Sequence, residues 1–462
     1  MIRIFKHYIS RAYLWLIIAE WLIFYLSMYF GSDVRFINLD SWYTDKDMIE
    51  ASTIFSVTLS FLCVGLGLYR RSLDWDDYNL VLRVCISFTL ATAAILAIYY
   101  LFPKYAIARS VFVYAIVFAF LGVMLSRYLF YRYVSHDKLR RRVLVIGAGE
   151  KAKQLTVINN RYIHKGFVIV GFVQLGEGKI QVESSLVIGQ EQDLTQIIGE
   201  YNIEEIVVAV DDKRNSLPLN GLLKCKTLGV RIIDLLNFYE REQGLILLDS
   251  HTMGWIIFSD GFEFSGVKVV TKRAVDLIAS LGLLVVAWPF MLLTALAIMM
   301  ESGFKAPILY KQTRVGEFDQ DFEVLKFRSM RTDAELNGAQ WAKENDNRVT
   351  RVGGFIRKVR LDELPQIWNV FRGDMSFVGP RPERPEFVDQ FDKNIPYYRK
   401  RHRVKPGITG WAQLCYPYGA NEYDAIQKLQ YDLYYVKNYS LFLDLTIIIH
   451  TIEIVLWGKG AR

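Results

Sequence analysis

Four long runs of apolar residues stand at the start of the chain, at 12–30, 52–69, 81–102 and 106–131. Each run is near the roughly 20 residues that a helix needs to cross a bilayer. The pattern therefore predicts a bundle of four transmembrane helices in a domain that spans 1–139. The buried helices of a soluble protein are the alternative, and the charges between the runs argue against it.

The segments that flank these runs differ in charge. Three flanks are basic: the one before the first run has Arg3, Lys6 and Arg11, the second connection has Arg70, Arg71 and Arg83 around it, and the flank after the fourth run has Arg127, Arg132, Lys138, Arg140, Arg141 and Arg142. The first connection is acidic, with Asp33, Asp40, Asp45 and Asp47. Short loops rich in Lys and Arg remain on the cytoplasmic side of a membrane. Both ends of the bundle are therefore expected in the cytoplasm.

A different pattern follows the bundle, because short apolar runs now alternate with helical stretches. The candidate strands lie at 142–147, 168–173, 205–210 and 230–235. Strands that alternate with helices favour a parallel sheet covered by helices. A Rossmann-like α/β domain is therefore expected over 140–250.

The first of these strands leads into Gly147-Ala-Gly149-Glu-Lys-Ala152, a G-x-G-x-x-A pattern typical of dinucleotide-binding loops. A dinucleotide site also needs an acidic residue near the end of the second strand to bind ribose. Val173 and Gln174 stand there instead, and Glu177 is only a loop candidate. A structural or regulatory module is therefore favoured over NAD(P) chemistry, and the glycines can simply serve a tight turn.

A fifth apolar run lies in a predicted helix at 273–300, after a linker at 251–270. Basic residues stand on both sides of it, namely Lys268, Lys272 and Arg273, and then Lys305, Lys311, Arg314, Lys326 and Arg328. Charge on both sides favours a re-entrant helix that enters and leaves on the cytoplasmic face, and Pro289 predicts a structural kink that breaks it at its middle. A fifth spanning helix is the alternative, and it would carry the rest of the chain across the membrane.

Composition supports a membrane protein that handles phosphates. Hydrophobic residues make up 52% of the chain, and the net charge is +7. In a membrane protein, excess Lys and Arg typically face the cytoplasm, anionic lipid or phosphate substrates. No nucleic-acid-binding signature is present, and no pair of the four cysteines has the spacing of a zinc site or a disulfide framework.

The chemistry-bearing stretch is Leu361-Asp-Glu-Leu-Pro365, followed by a short apolar helix pattern that ends at Gly373. Proline in the first turn and glycine after the last turn are typical of a helix. Asp362 and Glu363 are therefore expected at a helix N-terminus, where negative charge is favoured. Two such carboxylates can hold a divalent cation or attack a phosphoryl group, although a plain helix cap is the alternative.

From Lys272 onward the chain resembles the polyprenyl-phosphate sugar-1-phosphate transferases, in their large form with a four-helix bundle and a Rossmann-like insert. The resemblance covers 271–462, and over 1–250 it is architectural. The motifs that carry it are Lys272-Arg273 with Asp276, Gln312-x-Arg314-Val-Gly316, Lys326-Phe-Arg-Ser-Met330, Asp333-Ala-Glu335, Trp341-Ala342, Asn345-Asp346-Asn-Arg348-Val-Thr350, Leu361-Asp-Glu-Leu-Pro-Gln366, Gly373-Asp-Met-Ser376, Gly379-Pro-Arg-Pro382, Lys405-Pro-Gly-Ile-Thr-Gly410 and Asp432-Leu-Tyr-Tyr435.

The resemblance implies a catalytic domain at 271–462 that is mainly α and monotopic. Such enzymes move a sugar-1-phosphate from a UDP-sugar to undecaprenyl phosphate, release UMP and start surface-polysaccharide synthesis. Asp362 matches the nucleophile and Glu363 its partner, and the pair would hold Mg²⁺. The implied location is the bacterial inner membrane, with the catalytic domain in the cytoplasm. The sugar would be a hexose, with glucose or galactose as family-level choices, and the bundle and insert could support a homodimer.

Basic residues around the dyad are candidate phosphate ligands, or else a plain charged surface. Arg357, Arg381, Lys326 and Arg328 form this set. Asp276 could orient Lys272 and Arg273 toward lipid phosphate, or it could only cap a helix. The basic aromatic run at 397–403 favours an interfacial segment on anionic headgroups, with simple surface charge as its alternative.

Two other classes of function remain open from the sequence. A membrane-anchored Rossmann oxidoreductase or dehydratase of nucleotide sugars is weakened by the missing ribose carboxylate and the absence of a Tyr-x-x-x-Lys pair in the α/β stretch. A non-catalytic assembly scaffold would not need the intact pair of Asp362 and Glu363.

Overall fold

The computed structural model describes most of the chain. The described residues are 2–4, 7–9, 11–35, 44–66, 68–69, 78–133, 140–161, 167–175, 179–189, 194–211, 217–248, 260–262, 265–303, 306–334, 347–416 and 421–456. The predicted linker lies partly outside them, and these residues lie outside them entirely: Lys6, Asp40, Arg70, Arg71, Lys138, Glu177, Lys305, Glu335, Trp341, Ala342, Asn345 and Asp346. The chain divides into two compact units, which are essentially Tyr8–Glu242 and Gln243–Arg462.

The first unit begins with two short strands, β1 (Ile2–Ile4) and β2 (His7–Ile9), and four long helices. The helices are α1 (Arg11–Arg35), α2 (Asp45–Gly65), α3 (Tyr78–Leu101) and α4 (Arg109–Tyr133), with a 3-10 turn at Pro103–Tyr105. Each of the four has the length and apolar character needed to cross a membrane. Large apolar side chains such as Phe24, Phe55 and Phe112 form their common core. The four helices expected from the apolar runs are therefore present.

The rest of this unit is a parallel sheet of five strands in the order β5-β4-β3-β6-β7. The strands are β3 (Arg141–Ile146), β4 (Phe167–Val173), β5 (Val187–Gly189), β6 (Glu205–Val208) and β7 (Arg231–Asp234). The helices are Glu150–Arg161, Leu194–Tyr201, Leu219–Thr227 and Leu235–Gln243, with a 3-10 turn at Ser184–Leu186. The four predicted strands are present within a few residues, and β5 is an addition.

The second unit contains the dyad and is mainly helical, with two small sheets. Its helices are Gly266–Glu301, Arg351–Lys358, Gln366–Arg372, Pro385–Asn394, Trp411–Cys415, Glu422–Lys437 and Leu441–Leu456. β8 (Leu309–Val315) and β9 (Asp321–Phe327) are antiparallel, whereas β10 (Ser376–Val378) and β11 (Gly407–Thr409) are parallel. The 3-10 turns are Glu317–Asp319, Leu361–Glu363 and Tyr398–Arg403.

The fifth apolar segment is one continuous helix, Gly266–Glu301, which we call the long apolar helix. It begins earlier than the sequence suggests, because the Ser265 side chain caps it by accepting from the Lys268 N–H. The helix continues through Pro289, so it is not broken into two helices there, and the predicted kink at this residue stays a prediction.

Candidate active site

The two carboxylates lie in the 3-10 turn Leu361–Glu363, between the helices Arg351–Lys358 and Gln366–Arg372. Arg360 has a φ of 62°, a left-handed conformation that reverses the chain between the two helices. The second helix ends at Gly373, whose φ of 103° suits a residue without a side chain. The carboxylates therefore precede a short helix, as the sequence predicts.

Apolar packing fixes this turn. Leu361 and Leu364, on either side of the dyad, pack against a cluster formed by Ile298, Phe327 and Ile356. Those three residues come from the long apolar helix, the end of β9 and the helix before the dyad. Because three separate elements hold the two leucines, the carboxylates between them have a defined position.

Glu363 is surrounded by positive charge. Its Oε1 lies 3.3 Å from Lys326 Nζ and 3.3 Å from Arg381 Nη2. Burial opposes the charged form of this carboxylate, but Lys326, Arg381 and Arg360 outweigh that effect and lower the pKa of Glu363 to about 2. Glu363 is therefore ionised and already engaged by two cations.

Asp362 has a different environment although it is the neighbouring residue. Its Oδ1 atom is buried and has no hydrogen-bond partner among the described residues. Burial and the negative charge of Glu363 raise the pKa of Asp362, against the opposing effect of Lys326, Arg360 and Arg357. A buried carboxylate oxygen without a partner is rare, and it is suited to a bond with a substrate or a cation.

Lys326 and Arg381 reach Glu363 from separate parts of the fold. Lys326 is on β9, and burial together with the positive charge of Arg381 lowers its pKa even though Glu363 opposes the shift. Arg381 follows β10, in the Gly379-Pro-Arg-Pro382 segment. Of the predicted phosphate ligands, these two are brought to the dyad by direct contact.

The backbone that carries Arg381 is held by two further arginines. Arg401 donates through Nη2 to the carbonyl of Arg381 at 2.8 Å. Arg314 donates through Nη1 to the carbonyl of Pro382 at 3.0 Å. Neither arginine was among the predicted site residues, although Arg314 belongs to one of the recognised motifs. Their contacts join residues 20 and 68 positions apart in sequence, so local patterns cannot reveal them.

Arg401 is itself fixed within the core. Its Nη2 forms an ion pair with Asp432 Oδ2 at 2.8 Å, and its Nη1 donates to the Tyr398 hydroxyl at 2.8 Å. All three residues are buried. Burial raises the pKa of Asp432 to about 6, although Arg401 acts in the opposite direction. This buried pair therefore holds the segment that carries Arg381.

Lys272 and Asp276 attach the long apolar helix to the core of the second unit. Lys272 Nζ donates to Asp444 Oδ2 at 2.6 Å and to the Val378 carbonyl at 3.1 Å. Asp276 Oδ1 accepts from the Ser376 hydroxyl at 3.0 Å. Both charged groups are buried and have protein partners, so they anchor the helix, and their predicted roles toward lipid phosphate stay predictions. Asp276 is also not a helix cap, since the helix begins ten residues earlier.

Arg273 has an anchoring contact of the same kind. Its Nη1 and Nη2 donate to the carbonyls of Val370 and Phe371 at 2.6 and 2.7 Å. These carbonyls lie at the end of the short helix after the dyad, where a cation is favourable. Arg273 therefore connects the long apolar helix to the dyad helix, and its predicted role in lipid-phosphate binding stays a prediction.

The remaining predicted ligands differ in their relation to the dyad. Arg357 and Arg360 are near enough to lower the pKa of Asp362, so both contribute positive charge at this carboxylate. Arg360 was not predicted from the sequence. Arg328 follows β9, and its Nε is buried without a hydrogen-bond partner in the described part of the chain. No dyad contact supports its predicted role.

The basic aromatic run is buried in part, while Lys400 and Arg403 are exposed. It folds as the 3-10 turn Tyr398–Arg403, with Tyr398, Arg401 and His402 buried. The exposed Arg399 contacts three carboxylates, those of Asp319, Asp389 and Asp392. Tyr398, Arg401 and His402 are therefore not part of a headgroup-binding surface, contrary to the prediction for this run.

The two dyad carboxylates are candidate ligands for a divalent cation. No group of three or more His, Cys, Asp or Glu side chains with metal-binding geometry occurs among the described residues. Mg²⁺ typically takes one or two carboxylates, several waters and substrate phosphates. The unpartnered Oδ1 of Asp362 and the neighbouring carboxylate of Glu363 would be the protein ligands of such a site.

Comparisons with known proteins agree with the two units. Residues 267–458 match the bacterial sugar transferase family model, and residues 65–232 match a CoA-binding domain model. The first match contains the dyad and all of its contacting side chains. The second match contains most of the α/β sheet.

Three relatives are named for related reactions. A UDP-N-acetylgalactosamine-undecaprenyl-phosphate N-acetylgalactosaminephosphotransferase of Aeromonas hydrophila is 43% identical over 52% of this chain and 56% of its own length. An undecaprenyl-phosphate glucose phosphotransferase of Komagataeibacter xylinus is 33% identical over 70% of this chain and 60% of its own length. A UDP-glucose:undecaprenyl-phosphate glucose-1-phosphate transferase of Xanthomonas campestris pv. campestris is 32% identical over 70% of this chain and 68% of its own length.

The alignments thus span less than two thirds of the first two relatives and slightly more than two thirds of the third. The matched family model includes the dyad region, and the third relative is 32% identical over more than two thirds of both chains. The chain therefore belongs to the bacterial sugar transferase family.

Proposed function

We propose that this protein transfers a sugar-1-phosphate from a UDP-sugar to undecaprenyl phosphate and releases UMP. The observation that carries the proposal is the unequal dyad, in which Glu363 is bound by two cations while a buried oxygen of Asp362 has no partner. Asp362 is the nucleophile and Glu363 is the charge-binding partner. This division has a physical basis, whereas the order of residues alone would allow the reverse.

In the first step, an oxygen of the Asp362 carboxylate attacks the β-phosphorus of the UDP-sugar. A bond forms between this oxygen and phosphorus, and the bond from phosphorus to the oxygen bridging the two phosphates breaks. UMP leaves with that oxygen and its electron pair. The enzyme then carries the sugar phosphate as an acyl phosphate, which is a good phosphoryl donor.

In the second step, a phosphate oxygen of undecaprenyl phosphate attacks the same phosphorus. The bond to Asp362 breaks, and its electron pair restores the carboxylate. The product is a lipid diphosphate sugar. Because the two transfers share one site, UMP must leave before the lipid phosphate reacts.

Lys326 and Arg381, which contact Glu363, also bind phosphate oxygens of the substrate. Both lie 3.3 Å from Glu363, so they are close enough to meet a diphosphate placed at Asp362. The planar guanidinium of Arg381 suits bidentate binding of phosphate. Mg²⁺, when bound by Asp362 and Glu363, supplies positive charge that offsets the charge of the diphosphate and of departing UMP.

We also propose that the long apolar helix enters and leaves the membrane on one face. Near its start, Lys272 pairs with Asp444, and near its end Ile298 packs against Phe327 and Ile356. All of these partners belong to the second unit. Contacts at both ends of the helix with residues of the same unit support a re-entrant arrangement over a single crossing. The catalytic unit would then lie on the cytoplasmic side of a bacterial inner membrane. UDP-sugars are found in the cytoplasm.

The sugar is a separate question, because the relatives are named for N-acetylgalactosamine and for glucose. UMP release should be assayed with a panel of UDP-sugars, undecaprenyl phosphate and Mg²⁺. We expect one UDP-hexose or N-acetylhexosamine to be preferred, and the lipid product would begin a surface polysaccharide. A folded protein that releases no UMP from any of them would contradict the proposal.

A further inference from the structure

The α/β sheet has the topology at which nucleotides usually bind. β3 lies at its centre, with β4 on one side and β6 on the other. Ligands of such sheets bind outside the carboxyl ends of the strands, where the chain connections diverge to the two sides. A diphosphate is held there by the N-terminus of the helix that follows the glycine-rich turn. In this chain the turn is 147–149, and the helix is Glu150–Arg161.

A carboxylate of the protein already occupies this position. Asp211, just beyond β6, accepts from the Glu150 N–H through Oδ2 at 3.1 Å and from the Lys151 N–H through Oδ1 at 3.0 Å. Lys151 Nζ also donates to the Asp211 carbonyl at 3.3 Å. The two N–H groups that would face a phosphate therefore donate to Asp211.

The glycines of the turn approach protein rather than leave room for a ligand. A Cβ atom on Gly149 would lie 1.8 Å from Asp211 Oδ2, and one on Gly147 would lie 2.4 Å from the Ala209 carbonyl. The Gln181 N–H donates to the Ala148 carbonyl at 2.8 Å. The residues that match the nucleotide-binding pattern are thus used for close packing of neighbouring segments.

We propose that the α/β segment binds neither CoA nor another nucleoside diphosphate, because Asp211 serves as its internal anion. The name of the matching domain model implies CoA, but the residues present do not fit the diphosphate of that molecule. A second anion would have to share two N–H donors with a carboxylate of the same sign, and such a contact is repulsive. The Asp211 carboxylate stabilises the helix N-terminus in the same way as an acidic N-cap residue does.

The test is binding of CoA to the full chain in detergent micelles, by equilibrium dialysis with radiolabelled CoA. The wild type should show no saturable binding up to about 1 mM. Asp211→Ala removes the carboxylate and should bind CoA at least tenfold more tightly than the wild type. Asp211→Asn keeps the shape without the charge, and it serves as a second variant if the alanine variant unfolds. Glu204→Ala removes an exposed charge elsewhere in the same segment and should behave as the wild type.

Each outcome decides the proposal. Saturable binding of one CoA per wild-type chain would overturn it directly. Absence of CoA binding by both folded Asp211 variants would also overturn it, since Asp211 would then not be what blocks the site. UMP release from a UDP-sugar, measured on the same preparations, shows whether the second unit is folded and leaves the binding result independent of the transferase proposal.

Discussion

Glu363 Oε1 and Lys326 Nζ form an ion pair at 3.3 Å, with side chains that are 15% and 23% exposed. The pair ties the second carboxylate of the dyad to the neighbouring β9 strand. Asp362 has no comparable partner for its buried Oδ1. This difference between adjacent carboxylates is the physical basis for assigning attack to one and charge binding to the other.

The pH dependence of the reaction should follow the ionisation of Asp362. Its pKa is raised by burial and by Glu363, and Lys326 opposes that shift. Removing the positive charge in Lys326→Met should raise the pKa of Asp362 further. The acidic limb of kcat/KM, which reports the free enzyme, should therefore move to higher pH.

The matched control is Lys311→Met, which removes an exposed lysine paired with Glu323 on the same hairpin. We expect its acidic limb to coincide with that of the wild type. A limb that stays fixed in Lys326→Met, or moves to lower pH, would show that the titrating group is not Asp362.

Magnesium dependence should depend on Glu363. Chelation of divalent cations should stop UMP release, and added Mg²⁺ should restore it. In Glu363→Gln one anionic ligand is lost, so the Mg²⁺ concentration for half-maximal activity should rise about tenfold or more.

Glu386→Gln is the control for that variant, because it neutralises an exposed glutamate on the Pro385–Asn394 helix. Its Mg²⁺ dependence should be unchanged. Equal Mg²⁺ requirements in the wild type and Glu363→Gln would exclude Glu363 as a metal ligand.

Arg401 should act on the reaction through Arg381. Lysine at position 401 keeps the charge but cannot reach Asp432, Tyr398 and the Arg381 carbonyl together. Arg401→Lys should therefore lower kcat by about tenfold, the kind of loss that follows a displaced catalytic group.

A double-mutant cycle separates positioning from general destabilisation. In an Arg381→Ala background, Arg401→Lys should cause little further loss of kcat, because the residue that it positions is already absent. Thermal unfolding of all four proteins provides the stability control. Fully multiplicative losses in kcat would contradict a positioning role.

The orientation of the long apolar helix can be tested with single cysteines. In a background where Cys63, Cys85, Cys225 and Cys415 are replaced by serine, cysteines at Lys268 and Ser302 mark the two ends of the helix. Both should resist a membrane-impermeant maleimide in intact spheroplasts and react in inverted vesicles.

A cysteine at Asp33, in the acidic first connection, should react from the outside and serves as the positive control. Labelling of the Ser302 position from outside, with the Lys268 position protected, would establish a fifth crossing instead.

The sequence was informative wherever the structure depends on local patterns. Apolar runs and short β-like runs located α1 to α4 and the strands β3, β4, β6 and β7, because helix and strand periodicities are properties of neighbouring residues. The dyad turn was also predictable, since Pro365 and Gly373 mark the helix that follows it.

Contacts between distant residues were not predictable in this way. Lys272 lies 172 positions from Asp444, and the charge pattern around Lys272 resembles that of a phosphate site. Burial of Arg401 within a basic run likewise depends on Asp432, which lies in another helix. Lys326 and Arg381, predicted as phosphate ligands, lie beside the dyad, but the carboxylate that they contact was known only from the structure.

The most direct test of the account is to trap the covalent intermediate. Protein incubated with Mg²⁺ and UDP-sugar labelled with ³²P at the β-phosphate, without undecaprenyl phosphate, should release UMP and retain the label as a hydroxylamine-sensitive acyl phosphate. Peptide mapping should place the label on Asp362, and Asp362→Asn should retain none while keeping the thermal stability of the wild type. Label on Glu363, or undiminished label in Asp362→Asn, would contradict the assignment of Asp362 as the nucleophile.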